Sequence, residues 1–160
     1  MNLNLSSPSS TKFSAPFPVP GTDTVLLIGP RGEDFGWKLY RMIMTLEHLI
    51  TTAWEHVAVN HRVGPVSGCT WNSPATISVI LRPRMNGRTS LVTDTDLAEA
   101  TYGIITYFLT AQAAFATNVT IVRPNEHGRR VPVGEIEIRS GQPGAGIIGA
   151  SEGDVSVDTT

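Results

Sequence analysis

Two long segments with helical apolar periodicity, each trailed by short β-branched runs, constrain this chain more than any other feature. In the first, Phe35 to Val59, the residues Leu39, Ile43, Leu46, Ile50, Ala53 and Val57 recur at i, i+4, i+7 spacing. Lys38, Arg41, Thr45, His48, Thr52 and Glu55 form the opposite stripe. The pattern is that of an amphipathic helix with one wet face, and Asp34 stands where a cap belongs. The second segment runs from Asp96 to about Ala116. Leu97, Ile104, Phe108, Ala111 and Phe115 make one apolar stripe, and Tyr102, Ile105, Leu109 and Ala113 a second. The polar stripe of Glu99, Thr106, Thr110 and Thr117 is narrow, so this helix is expected to be the more buried, or to lie in a subunit interface. Asp96 and Glu99 have the spacing of a capping box at its start.

Strand signals surround the helices. Val25 to Ile28 is a short apolar run bounded by Gly21 and by Gly29-Pro30. Thr76 to Arg82 alternates, with Ile77, Val79 and Leu81 on one side. Met85-Asn86-Gly87 reads as a hairpin turn with Thr89 to Thr93 as the return strand. Val119 to Val122 and Val133 to Arg139 are joined by RPNEHGRR, with Gly128 at the turn. Residues Asn60 to Pro74 carry Gly64-Pro65, Gly68 and Asn72-Ser73-Pro74, and read as a loop. The order strand, helix, strand, strand, helix, strand, strand predicts an α+β fold. Its antiparallel sheet would carry two helices on one face, in ferredoxin-like (split β-α-β) order with an extra C-terminal strand. The order also divides into two helix-then-strands halves. The other sheet face is left for water, a partner or a ligand.

A length of 160 residues suits one domain. Residues 1–21 read as a flexible Ser/Pro-rich arm whose Phe13, Phe17 and Val19 can dock, residues 22–140 as the domain, and residues 141–160 as a disordered, Gly-rich acidic tail. A charged fraction of 16% argues against disorder throughout, and a net charge of -2 removes any global pull toward nucleic acid or anionic membrane. No run approaches the ~18 consecutive apolar residues of a membrane span. The N-terminus lacks the pattern of a signal peptide, which reads as cytoplasmic, with an extracellular location the alternative for a mature chain. Cys69 is the single cysteine, so no intrachain disulfide forms.

No catalytic residue, cofactor or metal site is expected. The spacings of His48, His56, His61 and His127 match no zinc pattern, and Cys69 adds one sulfur. Cys69 with His61 upstream lacks the frame of a nucleophile elbow and reads as a structural thiol. Glu33-Asp34 belongs to a helix start and Glu135/Glu137 to a strand's wet side. The tail's GQPGAG has the glycines of a phosphate loop without its Lys-Ser/Thr or its helix. Asn118-Val119-Thr120 and Asn4-Leu5-Ser6 match the glycosylation triplet, which matters in a secreted chain alone.

The arginines carry more information. Arg82, Arg84 and Arg88 flank one turn; Arg123, Arg129 and Arg130, with His127, flank another. If both turns lie at the same end of the sheet they form a basic patch able to bind an anion or nucleic acid. The plainer alternative is that arginine solubilises turns and guards strand edges. Neither turn carries an aromatic, which weighs against single-stranded nucleic acid. Among the large aromatics, Trp54 near the first helical stripe reads as core, whereas Trp71 and Tyr102 read as partner contacts.

The stretch PVPGTDTVLLI, the long helix after it, SLVTDTDLAEATYGIITYFLTAQ and the closing VPVGEIEI together resemble a group of small uncharacterised fungal proteins. The resemblance covers residues 18–139. It implies a secreted setting but no activity and no catalytic residues. The function expected is therefore that of a non-enzymatic protein-interaction or self-associating protein, of the secreted fungal effector kind. The alternative is a small-ligand or anion-binding module, an enzyme included, using the turn arginines.

Overall fold

A computed structural model describes residues 16–36, 39–60, 64–72 and 77–141. Phe13, Trp37, Lys38, His61, the Asn4 triplet and the tail from Gln142 onward lie outside the described residues, as do the side chains of His56 and Val57.

The fold is α+β. Strands β1 (Phe17–Pro18), β2 (Val25–Ile28), β3 (Cys69–Asn72), β4 (Ile77–Pro83), β7 (Thr117–Pro124) and β8 (Arg130–Ser140) form a six-stranded sheet in the order β1-β2-β7-β8-β4-β3. Every neighbouring pair is antiparallel. A separate hairpin pairs β5 (Met85–Asn86) with β6 (Thr89–Ser90). Helices α1 (Leu39–Asn60) and α2 (Asp94–Ala111) pack against each other.

This order corrects the sequence expectation at one point. In the ferredoxin-like order the first main strand sits between the strands that flank the second helix. Here β8 takes that place, antiparallel to β4 on one side and to β7 on the other, and β2 lies beyond β7. The last strand is therefore an insertion into the middle of the sheet and not an addition to its edge. A tight turn explains it: Gly128, at φ 71°, lets β8 fold back on β7, where its regular apolar alternation fills the position between β7 and β4.

Cross-strand register sorts the side chains into two faces. Leu26 pairs with Ile121, Val119 with Ile136, Leu81 with Ile136 and Val79 with Ile138, and all of these are buried in one core cluster. The opposite face carries Glu135, Glu137, Arg139, Arg82, Asn72 and Thr70. Met42, Leu46, Leu49 and Ala53 of α1, and Leu97, Ala100, Ile104 and Phe108 of α2, belong to the same core cluster as the dry face. The buried centre of α1 is thus turned from the expected stripe: Leu39, Ile43 and Ile50 are half-buried at its flank.

Several local expectations shift. The arm contributes β1, and Phe17 docks by an edge-to-face contact with Tyr107, ring centroids 5.4 Å apart. Val19 is buried. Part of the expected loop at 60–74 is β3. The segment Thr89–Thr93 does not return along β4; its first two residues close the small β5–β6 hairpin over Gly87 and Arg88. The second helix starts two residues earlier than expected. Thr93 is its N-cap, with Thr93 Oγ1 accepting from the Asp96 N–H while Asp96 Oδ2 accepts from the Thr93 N–H. Glu99, the residue expected in that box, accepts a hydrogen bond from Thr24 instead. Asp34 makes a turn with the Gly36 N–H ahead of α1 and pairs with Arg31 at 2.7 Å. Those two partners, the backbone N–H first, hold its carboxyl below the usual range.

Candidate functional site

The antiparallel sheet brings the two arginine-bearing segments to one end. Pro83, the last residue of β4, pairs with Gly134 near the start of β8, and Pro124, the last of β7, pairs with Arg130. Beyond β4, the Arg84 N–H donates to Val133 O at 2.8 Å, and the Leu91 N–H donates to Arg84 O at 2.8 Å. Arg123 Nη2 donates to Leu91 O at 3.2 Å, tying the hairpin to β7. The condition set by the sequence, that both turns share a sheet end, is met.

The six arginines then divide by role. Arg82 pairs with Glu137 across β4 and β8. Arg123 Nε lies 3.1 Å from Asp96 Oδ2, an ion pair in which the N–H is not directed at the carboxylate. Asp96 is buried, so this pair links the capping box of α2 to β7. Arg84, Arg88, Arg129 and Arg130 are exposed and have no ion-pair or hydrogen-bond partner for their side chains among the described residues. His127 is exposed in the same turn.

That turn is built by Asn125. Its Oδ1 accepts from the His127 N–H and from the Arg129 N–H, both at 2.9 Å. Its own N–H donates to Arg129 O at 2.8 Å. Asx bonding of this kind rigidifies a turn locally, and it leaves the guanidiniums as the outward donors.

A second surface emerges on the helices, and sequence reasoning largely missed it. Tyr40 (71% exposed), Met44 (48%) and Trp54 (49%) project from α1, and Tyr102 (48%) and Leu109 (53%) from α2. Trp54, expected in the core, is therefore a surface residue, while Tyr102 is exposed as a partner contact requires. The signal was in the spacing. At 3.6 residues per turn, positions 40, 44 and 54 share one side of α1, but they are interleaved with Glu47, His48 and Glu55, so the side reads as wet.

Trp71, expected in a loop, lies on β3. It pairs with Val79, so its side chain lies on the dry face of the sheet, half-buried against the core. Cys69, two residues earlier on the same face, is also half-buried, and burial pushes its thiol up to about 12. It is protonated at neutral pH and unsuited to nucleophilic work.

Among the described residues no group of three His, Cys, Asp or Glu side chains is placed to hold a metal ion, and no helix is long and apolar enough to cross a membrane. Compared with protein-family models, curated proteins and solved structures, the chain matches none.

Proposed function

We propose that the chain is a non-enzymatic protein-interaction module that associates with a second copy of itself through the outward faces of α1 and α2. Both helices, in this reading, cover the dry face of the sheet and turn a shared apolar surface away from it. The observation that carries the reading is the exposure of Tyr40, Met44, Trp54, Tyr102 and Leu109 on two helices that pack against each other. Isolated exposed apolar side chains are ordinary on a monomer. A set gathered on one helical pair and rich in aromatics and methionine has the composition of an interface core. The resemblance to small secreted fungal proteins supports an effector-like role outside the cell.

Light scattering coupled to size exclusion, run across a concentration series, tests this. The wild type should show a mass above that of the monomer at tens of micromolar, and the double variant Trp54→Glu/Leu109→Glu should be monomeric at every concentration. Both positions are exposed, so circular dichroism should show the variant folded. A wild type that stays monomeric throughout would sink the proposal.

A further inference from the structure

We infer that the arginine-bearing end of the sheet is a binding site for a ligand with clustered phosphate groups, centred on Arg84, Arg88, Arg129 and Arg130. The inference does not depend on self-association, which uses a different surface.

Three observations select these residues from ordinary surface charge. The first is where they sit. Arginine that guards a sheet against edge pairing belongs on edge strands, and the edges here are β1 and β3. Arg84 instead follows β4, Arg129 precedes β8 and Arg130 opens it, all at interior strands of the six-stranded sheet, while Arg88 lies in the turn of the small β5–β6 hairpin beside them. The second is their pairing. Arg82 and Arg123, their neighbours in sequence, are both matched to carboxylates. The four are matched to none among the described residues, although Glu126 and Glu135 are exposed beside them. The described carboxylates nearby thus leave the guanidiniums unengaged, and a denser negative charge is needed to engage several at once. The third is their chemistry. Every cation in the two turns other than His127 is arginine and none is lysine. The planar guanidinium fork matches phosphate oxygens two at a time, whereas an ammonium acts as a point charge.

The surroundings narrow the ligand further. The Asn125 bonds consume the backbone N–H groups of His127 and Arg129, so recognition falls to side chains spread over two turns. A compact single anion needs converging donors; a ligand carrying several phosphates can meet donors that are spread out. The absence of aromatics from both turns removes a platform for stacking bases. The same phosphate cluster is presented by a soluble polyphosphate and by a multiply phosphorylated lipid headgroup.

Calorimetric titration of the full chain with tripolyphosphate is the primary test. Binding should weaken as sodium chloride is raised and should fall roughly tenfold or more in Arg84→Gln/Arg129→Gln. Arg84→Lys/Arg129→Lys should recover part of the loss, because charge is restored without the fork. All four positions are exposed, so melting temperature should be unchanged. Flotation with phosphatidylcholine vesicles containing a bisphosphorylated inositol lipid separates the sources. Co-flotation with loss in the glutamine variant supports the site with a headgroup as ligand, and binding of tripolyphosphate alone supports it with a soluble one. No heat with tripolyphosphate, equal heat in the glutamine variant, equal affinity for polyglutamate, or binding confined to duplex RNA would each overturn the inference.

Discussion

Half-burial decides what Cys69 can do. With its thiol pushed up to about 12, the reactive thiolate is scarce at neutral pH. Iodoacetamide labelling of the native protein at pH 8 should run at least about a hundredfold slower than in urea, where the thiol regains an ordinary value near 8.5. Labelling at the denatured rate would show the thiolate to be accessible. The sign of the accompanying pH effect follows. The folded pKa lies above the unfolded one, so this contribution to stability is complete below about pH 8.5 and drains away as the pH climbs toward 12. The tryptophans show how little a residue's local sequence says about its surroundings. Trp54 sits beside an apolar stripe yet is half-exposed, and Trp71 sits among loop residues yet faces the core. A helical angle decides the first and a strand's parity the second.

At the scale of elements, α2 is anchored at both ends and pressed close in the middle. Thr93 and Asp96 cap its start, Arg123 holds Asp96 from β7, and Gln112 closes it at φ 52°. Gly103 allows the helix to approach the sheet. A methyl group there would stand 2.6 Å from Val19 Cγ2 and 2.8 Å from Leu26 Cδ1, both in the buried core. Alanine gains about 1 kcal/mol in helix propensity, while overpacking a filled core loses about 1–3 kcal/mol. Gly103→Ala is therefore expected to destabilise by about 1 kcal/mol, read as a lower urea midpoint with unchanged slope; a higher midpoint would contradict the close approach. Both helices were legible from periodicity, and the strands Val25–Ile28 and β8 from composition and alternation. The strand β3 was not, because Gly64-Pro65 and Asn72-Ser73-Pro74 surround four residues whose extended form depends on pairing with β4. The capping box lies three residues before the pair that spacing suggests, because Thr93-Asp96 and Asp96-Glu99 have the same spacing. The extended backbone of Thr93 separates them: Asp96 is already inside the helix, and Glu99 bonds to Thr24.

At the scale of the molecule, one core cluster runs from Val19 through both helices to Ile138, and the interior strands connect all parts of it. Urea unfolding should accordingly be a single transition, with tryptophan fluorescence and far-UV circular dichroism coincident. Two separated transitions would mean that α1 and the sheet unfold independently. Sequence alone determined that this chain is α+β with two unequal helices, because apolar periodicity is a local property of each segment. It also named the turn arginines. The sheet order came from long-range pairing, since interior and edge positions are set by which strands compete for the same hydrogen bonds. The same competition brought β4 and β7 to either side of β8. That placement separated Arg82 and Arg123, matched to Glu137 and Asp96, from the four arginines at one end of the sheet that have no partner among the described residues.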